Sequence, residues 1–405
     1  MEKQKCPSVR FKIFNDAWGE KNLANEVSFY SGLTYSPNDI TNKSGTLVLR
    51  SSNVQNGEIS LLDNVYVRPE VAYSQNVDIG DIIVVVRNGS RSLIGKHAII
   101  KKNMINTVIG AFMTGVKSSQ PDFINALFDS NNFINQVNRN LGATINQITI
   151  GAFKEMSFNF PTVEEQTQIG NFFKNLDQSI ALHEKKLTQT QNLKKAMLEK
   201  MFPKAGSKQP EIRLKGFSGE WQLDAIGNVL QEVFRPINLD NETKYRLVTV
   251  KRRNGGIAER AVLKGKDILV KSQFEVKAGD YVISKRQVVH GATGLVPHEL
   301  DGSIVSNEYL VGQSTDKLNI EFFALLSTLP EMYKKFFLSS YGVDIEKLFF
   351  DVNDWKKREI LLPSLAEQIQ IAVFFKQLDE TLALQQQQLQ TLKNLKQAFL
   401  EKMFV

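Results

Sequence analysis

The stretch Pro161-Thr-Val-Glu-Glu-Gln-Thr-Gln-Ile-Gly-Asn-Phe-Phe-Lys-Asn-Leu-Asp177 returns late in the chain as Pro363-Ser-Leu-Ala-Glu-Gln-Ile-Gln-Ile-Ala-Val-Phe-Phe-Lys-Gln-Leu-Asp379. The match runs on to Leu198-Glu-Lys-Met-Phe202 and Leu400-Glu-Lys-Met-Phe404, and 22 of the 42 positions from Pro161 to Phe202 carry the same residue 202 places later. Self-similarity on this scale marks a duplicated unit and decides the architecture. In the first copy apolar residues recur at three- and four-residue steps, at Ile169, Phe172, Phe173, Leu176, Ile180, Leu187, Met197 and Met201. Their counterparts are Ile371, Phe374, Phe375, Leu378, Leu382, Leu389, Phe399 and Met403. That is the period of one helix face. Thr162 and Ser364 stand as N-caps, with Glu165 and Glu367 as capping-box partners. No proline interrupts either run before Pro203. About 38 residues at ~1.5 Å each give a rod of roughly 57 Å. Its apolar stripe must be buried, and its duplicate is the nearest partner.

Working outward, a shorter echo opens each half. Pro7-Ser-Val-Arg-Phe-Lys-Ile-Phe-Asn-Asp-Ala-Trp18 matches Pro210-Glu-Ile-Arg-Leu-Lys-Gly-Phe-Ser-Gly-Glu-Trp221. Between echo and long repeat the two halves share little sequence. The organisation is therefore a variable domain over 1–160, a helical spacer over 161–205, a second variable domain over 206–362 and a second spacer over 363–405. The variable parts read as α/β. Asp81-Ile-Ile-Val-Val-Val-Arg87 is a buried strand, Asn88-Gly89 a two-residue hairpin turn, and Ser92 to Ile100 the returning strand. Gly279 to Arg286 holds the same place in the second half. Helices are expected over Asp122–Asn138 and Ile320–Leu338.

The 405 residues carry a net charge of +7, and 23% of them are charged. That balance fits a globular chain and permits a nucleic-acid partner without requiring one. No run reaches the length of a membrane span, and no apolar segment follows the charged start as in a secretory leader. One cysteine, Cys6, excludes an internal disulfide. A cytoplasmic, reducing location is the expectation. No phosphate loop, no Asn/Asp-Pro-Pro-Tyr/Phe methyltransferase motif and no Gly-x-Gly-x-x-Gly turn occurs. His97, His183, His290 and His298 lack metal-ligand spacing. No catalytic and no metal-binding residue is expected.

The doubled pattern Pro-x-x-x-Glu-Gln-x-x-Ile, Phe-Phe, Leu-Asp, then Leu-Glu-Lys-Met-Phe, each preceded by a variable domain, resembles the specificity (S) subunit of Type I DNA restriction–modification systems. The resemblance covers essentially the whole chain. It implies two similar α/β target-recognition domains separated by two long helices, which pack as an antiparallel coiled coil in a pseudo-two-fold arrangement. Each domain would read one half of a bipartite, asymmetric site on double-stranded DNA. The partners implied are two methyltransferase (modification) subunits and, in the full complex, two restriction subunits. S-adenosylmethionine, ATP and Mg would be bound only by those subunits, with no cofactor in this chain and no membrane association. The alternatives are a coiled-coil protein scaffold that reads no bases, and an enzyme acting on DNA alone.

On that reading the candidate DNA-binding residues are the polar and basic clusters around the strand ends. In the first domain these are Arg87, Asn88, Ser90, Arg91 and Lys96, with Lys101 and Lys102 behind. In the second they are Lys251, Arg252 and Arg253, beside Gly255-Gly256 in a flexible loop, and Lys285, Arg286, Gln287 and His290. Guanidinium forks suit guanine edges and phosphates, and amides suit adenine. Tyr35, Tyr66 and Tyr73 are expected to be core residues before base-stacking ones. Ile169, Phe172, Phe173, Leu176 and Ile180, with Ile371, Phe374, Phe375, Leu378 and Leu382, are assigned to coil packing or partner docking.

Overall fold

The computed structural model describes residues 6–141, 146–345 and 348–405. The α-helices among them are α1 (Pro121–Asp129), α2 (Asn131–Asn140), α3 (Ile150–Glu155), α4 (Val163–Lys200), α5 (Ile226–Val229), α6 (Ile320–Leu326), α7 (Pro330–Leu338), α8 (Val352–Lys356) and α9 (Leu365–Met403). The chain divides into two compact units, residues 1–186 with 385–405, and residues 187–384. The division cuts both long helices. Each unit therefore holds the start of one long helix and the end of the other.

The first unit contains two four-stranded sheets. One is antiparallel and orders Val27–Ser31, Met113–Ser118, Ile82–Val85 and His97–Ile99. The other orders Thr107–Ile109, Thr46–Leu49, Val65–Val67 and Ile40–Thr41, with its first pair parallel. Strand Ile82–Val85 is covered on both faces, which is why it reads as an unbroken apolar run. Ile82 and Val84 face the main core of Trp18, Phe123, Phe128, Phe133 and Phe153, while Ile83 and Val85 face a second cluster with Leu49 and Ile109.

The second unit repeats the plan. Gln231–Glu232, Tyr309–Gln313, Tyr281–Ser284 and Thr293–Leu295 form the antiparallel sheet. A five-stranded sheet orders Pro236–Ile237, Gln273–Val276, Ser303–Ser306, Lys244–Val250 and Ile257–Lys264, with a bulge between Leu247 and Val248. In each unit a short antiparallel ribbon leads into the long helix: Gly19–Asn22 with Ser157–Phe160, and Gln222–Ala225 with Glu359–Leu362.

The repeated residues build a repeated frame. In the first unit, Arg10 forks onto the buried Glu165 carboxylate of α4 at 2.6 and 2.7 Å, and Trp18 packs against Phe404 beyond α9. In the second, Arg213 forks onto the buried Glu367 of α9 at 2.8 and 2.7 Å, and Trp221 packs against Phe202 beyond α4. Planar two-point pairing is the geometry a guanidinium supplies and an ammonium does not.

Several local expectations are corrected. The N-caps form, since Thr162 Oγ1 accepts from the Glu165 N–H and Ser364 Oγ from the Glu367 N–H, each at 3.4 Å. The reciprocal half of the capping box is replaced, because Arg10 and Arg213 take the glutamate carboxylates. Asn88-Gly89 is not a two-residue hairpin turn. The strands do pair, Ile82 with Ile99 and Val84 with His97, but a longer loop carrying a 3-10 turn at Arg91–Leu93 joins them. Here the Asn88 Oδ1 accepts from the Ser90 N–H at 3.0 Å, an Asx turn that competes with the tighter hairpin. The helices expected over Asp122–Asn138 and Ile320–Leu338 are each broken in two. Ser130 caps α2 by accepting from the Phe133 N–H, and Pro330 starts α7.

Candidate nucleic-acid interface

In the first unit Arg87 emerges directly after strand Ile82–Val85. Its N–H donates to the Phe112 carbonyl at 3.2 Å, and its guanidinium lies 4.9 Å over the Phe112 ring. It also bridges to Gln147. Asn88 is held on both sides, donating from Nδ2 to Ser51 Oγ at 3.0 Å. Ser90 bonds Ser92, and Arg91 reaches the Asn138 carbonyl at 3.4 Å. Arg91 and Lys96 stand at the rim of a cavity of about 410 Å³ floored by Phe128, Phe133 and Val137. Among the described residues no carboxylate pairs with Arg87, Arg91 or Lys96. Lys101 is tied to Glu58.

In the second unit the structure brings two sequence-distant clusters together. The turn joining Lys244–Val250 to Ile257–Lys264 carries Lys251, Arg252 and Arg253, all exposed. Expected to be flexible, it is pinned. Arg253 and Asn254 adopt φ of 58° and 55°, and their N–H groups donate to the carbonyls of His290 and Gly291 at 2.7 and 2.9 Å. Arg252 Nε donates to Gln287 Oε1 at 2.7 Å, and Tyr333 donates to Asn254 at 3.3 Å. Gly291, at φ 70°, is required there, because a Cβ would stand 1.9 Å from the Tyr333 hydroxyl. Lys285 donates to the Asn307 carbonyl at 2.9 Å. Arg286 donates to Glu308 at 2.6 Å and lies 5.5 Å over the Phe349 ring. The Glu308 carboxylate raises the Arg286 pKa above its ordinary value.

Arg87 and Arg286 hold equivalent positions, each the sixth residue after a buried aspartate (Asp81 and Asp280) that opens the same strand. Both guanidinium groups lie over an aromatic ring, but among the described residues only Arg286 is also paired with a carboxylate, Glu308. The neighbours Ser51, Asn138, Phe112, Asn254, Glu308 and Phe349 were missed by sequence reasoning. Only sheet topology brings them to these strand ends.

Beneath the first surface lies a charge cluster. His97 Nε2 stands 3.3 Å from Asp129 at the end of α1, and Lys396 of α9 bonds Asp129 at 2.6 Å and Asp177 of α4 at 2.7 Å. Burial alone would raise the Asp129 carboxyl, but His97 and Lys396 hold it down at about 2. Burial likewise opposes charge on His97, yet Asp129 and the Gly95 carbonyl leave its pKa raised. Asp177 is pushed up by burial.

The helix residues assigned to packing divide by depth. Ile169, Phe173 and Leu176 are buried in the first unit, and Ile371 and Phe375 in the second. Phe172 and Phe374 are half-buried, as are Ile180, Leu378 and Leu382. Phe172 meets Phe399 of α9 edge-on at 4.9 Å. Tyr35 and Tyr66 pack against apolar clusters, while Tyr73 is exposed. His183, on α4, bonds the Ser179 carbonyl at 2.8 Å. Among the described residues no group of three or more His, Cys, Asp or Glu is placed to hold a metal ion, and no helix is long and apolar enough to cross a membrane.

Comparison with known proteins adds the family. The Type I restriction modification DNA specificity domain matches residues 15–192 and again 220–394. The specificity subunit of the Type I restriction enzyme StySPI from Salmonella potsdam is 25% identical over 159 residues, 37% of this chain. The match spans only about a third of that curated relative, 34% of its length. Among solved structures, the S subunit of a Type I restriction–modification system from M. genitalium superposes with a TM-score of 0.62 at 14% identity, covering 99% of both chains. A chain from a structural account of complex assembly and conformational transition in the type I R-M system gives a TM-score of 0.50 at 17% identity, covering 95% of this chain and 96% of that one. These two likenesses concern the fold. With the specificity domain matched twice over most of its length, the chain belongs to the Type I restriction–modification DNA specificity domain family.

Proposed function

We propose that this chain reads a bipartite, asymmetric double-stranded DNA site, one half with each variable domain, and directs methyltransferase and restriction subunits to it. Two modification subunits, and two restriction subunits when cleavage occurs, supply the reactions together with S-adenosylmethionine, ATP and Mg. The complex acts where the DNA is, in the cytoplasm. The observation that carries the reading is a repeated frame with unlike exposed strand ends: Arg10–Glu165 and Arg213–Glu367 repeat, while of the two equivalent arginines Arg286 is paired with Glu308 and Arg87 is not. Segments 1–160 and 206–362 are the reading domains, and 161–205 and 363–405 the spacer.

A spacer of two antiparallel helices with pseudo-two-fold symmetry would hold the heads at a set separation, and sites on B-DNA repeat every helical turn of about 34–36 Å. Arg87, Asn88, Ser90, Arg91 and Lys96 then serve one half-site, and Lys251, Arg252, Arg253, Lys285, Arg286, Gln287 and His290 the other. Phosphate contacts fix register, and base-edge contacts carry the sequence. The half-buried residues Phe172, Phe374, Ile180, Leu378 and Leu382 belong to coil packing and partner docking.

The test is methylation mapping in cells with and without this chain, followed by binding of its complex with the modification subunits to the mapped site. Arg252→Ala with Arg253→Ala should weaken binding and lower the salt slope by about 1 for each phosphate no longer neutralised, with subunit assembly intact. Assembly without any methylation that depends on this chain would favour a protein scaffold instead.

A further inference from the structure

Gln287 follows Arg286 in the second unit, and the fold fixes which end of its carboxamide can meet a ligand. The backbone is held on both sides: its N–H donates to the Ser284 carbonyl at 3.0 Å, and its carbonyl accepts from the His290 and Ala292 N–H groups at 2.9 and 3.2 Å. The side chain, half-buried, is held at one end, where Arg252 Nε donates to Gln287 Oε1 at 2.7 Å. A guanidinium has no acceptor, so this bond settles the amide orientation, with the oxygen toward Arg252. Among the described residues no protein group bonds Nε2, and its two hydrogens stay available. The Arg253–His290 and Asn254–Gly291 backbone bonds fasten the same two segments together, so the amide stands on a fixed support. Asn88 is the equivalent residue of the first unit, each amide being the seventh residue after its strand-opening aspartate. There both ends are occupied, Oδ1 by the Ser90 N–H and Nδ2 by Ser51 Oγ. In the second unit the nitrogen is left over.

The surroundings indicate the ligand. Lys251 and Arg253, on either side of Arg252, are exposed and have no carboxylate partner among the described residues. Two uncompensated cations beside a hydrogen-bond donor favour a polyanion. On the proposed DNA reading, on which this inference rests, that polyanion is the half-site met by the second unit. In the major groove guanine and thymine present only acceptors (N7 and O6, or O4), cytosine presents a donor, and adenine an acceptor beside a donor. A carboxamide with both ends open suits adenine, whereas one whose oxygen is already engaged can only donate. We infer that Gln287 donates from Nε2 to a base edge that only accepts, guanine or thymine. Arg252 is the positioning residue, denying the amide the two-ended pairing that adenine requires.

The experiment uses the complex with the modification subunits and duplexes carrying the mapped site, with all four base pairs placed in turn at every half-site position. At one position the wild type should select guanine or thymine, binding adenine and cytosine about five- to ten-fold more weakly, and the pair it selects identifies the base. Gln287→Ala should flatten the preference at that position alone. Gln287→Glu keeps a partner for Arg252 but exchanges the donor for an acceptor, and should shift the preference there to cytosine, whose N4 amino group donates. Arg252→Ala lets the carboxamide turn, so the adenine penalty should disappear, a change of selectivity that losing a phosphate contact does not produce. An unchanged melting temperature for each variant confirms the fold. Sequence-specific binding in which Gln287→Ala flattens no position, or flattens one where the wild type selects adenine or cytosine, overturns this inference alone. An adenine penalty that survives Arg252→Ala overturns the positioning role. Absence of any sequence-specific binding overturns the proposed function with it.

Discussion

Asp129→Asn should destabilise the first unit in a way that depends on pH at both ends of the range. The carboxylate serves His97 and Lys396 together, and its side chain is 27% exposed. A fall from 3.8 to about 2 is nearly two pK units. At 1.36 kcal/mol per unit, that is about 2 kcal/mol of folding stability at pH 5. The sign follows from the direction of each shift. Asp129 is depressed in the folded state, so its contribution is complete above its unfolded value near 4 and is lost as pH falls toward 2. His97 is raised, so its share is complete below its unfolded value near 6.5 and is lost as pH rises through its folded value. The deficit of the variant should peak near pH 5, shrink to the Lys396 share at alkaline pH, and vanish near pH 2. Guanidinium unfolding of the full chain measures it, with Trp221→Phe and Trp355→Phe in both chains so that Trp18, buried in the first unit, is the reporter. A deficit that stayed flat from pH 7 to pH 3, or fell under 0.5 kcal/mol at pH 5 (about a quarter of the linkage figure), would refute the reasoning.

Arg213→Ala strips both bonds from the Glu367 carboxylate, 1% exposed, and should cost about 3–5 kcal/mol in calorimetric unfolding of the second unit. Replacing the pair together, Arg213→Met with Glu367→Leu, should recover most of that loss, since the uncompensated buried charge is gone. Gly291→Ala forces a Cβ against the Tyr333 hydroxyl at φ 70° and should cost about 1–3 kcal/mol in thermal melts. Adding Tyr333→Ala should relieve the clash but not the backbone strain, so the double variant should melt above Gly291→Ala without reaching the level of Tyr333→Ala.

The long helices were legible because helical period, capping residues and an internal duplicate agreed over forty or so positions. The buried strands at Ile82 and Tyr281 were legible as continuous apolar runs. The Arg–Glu forks were visible only as unexplained echoes: Arg10 and Arg213 repeat, yet nothing local says they reach a glutamate 155 or 154 residues away. The false capping box shows why. Sequence spacing offered Glu165 a partner three residues back, and a tertiary guanidinium took it. The Asn88-Gly89 turn failed for a related reason, since the Asn88 side chain bonds forward to Ser90 and outward to Ser51. The site was legible as clusters of cations at strand ends. Joining Lys251–Arg253 to Gln287–His290 needed the sheet order, which no residue pattern encodes.

The two units show how a duplicated fold can keep its frame constant while its strand ends change. Each reads from the same buried aspartate position, yet Asp81 accepts from Tyr30 and Asp280 from Arg235 and Gln313. At the exposed end of the same strand both arginines lie over a ring, Arg87 over Phe112 and Arg286 over Phe349, and Arg286 is also paired with the Glu308 carboxylate. These exchanges lie at the two ends of an interior sheet strand, whereas the helix-bound forks and the tryptophans packed on Phe404 and Phe202 are repeated in both units. A surface guanidinium on a ring is free to bond a base or phosphate in two-point geometry, whereas one already paired must share its fork or give up Glu308. On the proposed DNA reading, the first unit should therefore gain more than the second from electrostatic attraction through this arginine. If the proposed reading holds, two half-sites met by such unequal arginines need not share a sequence, while the helical frame and its Arg–Glu forks stay the same in both units.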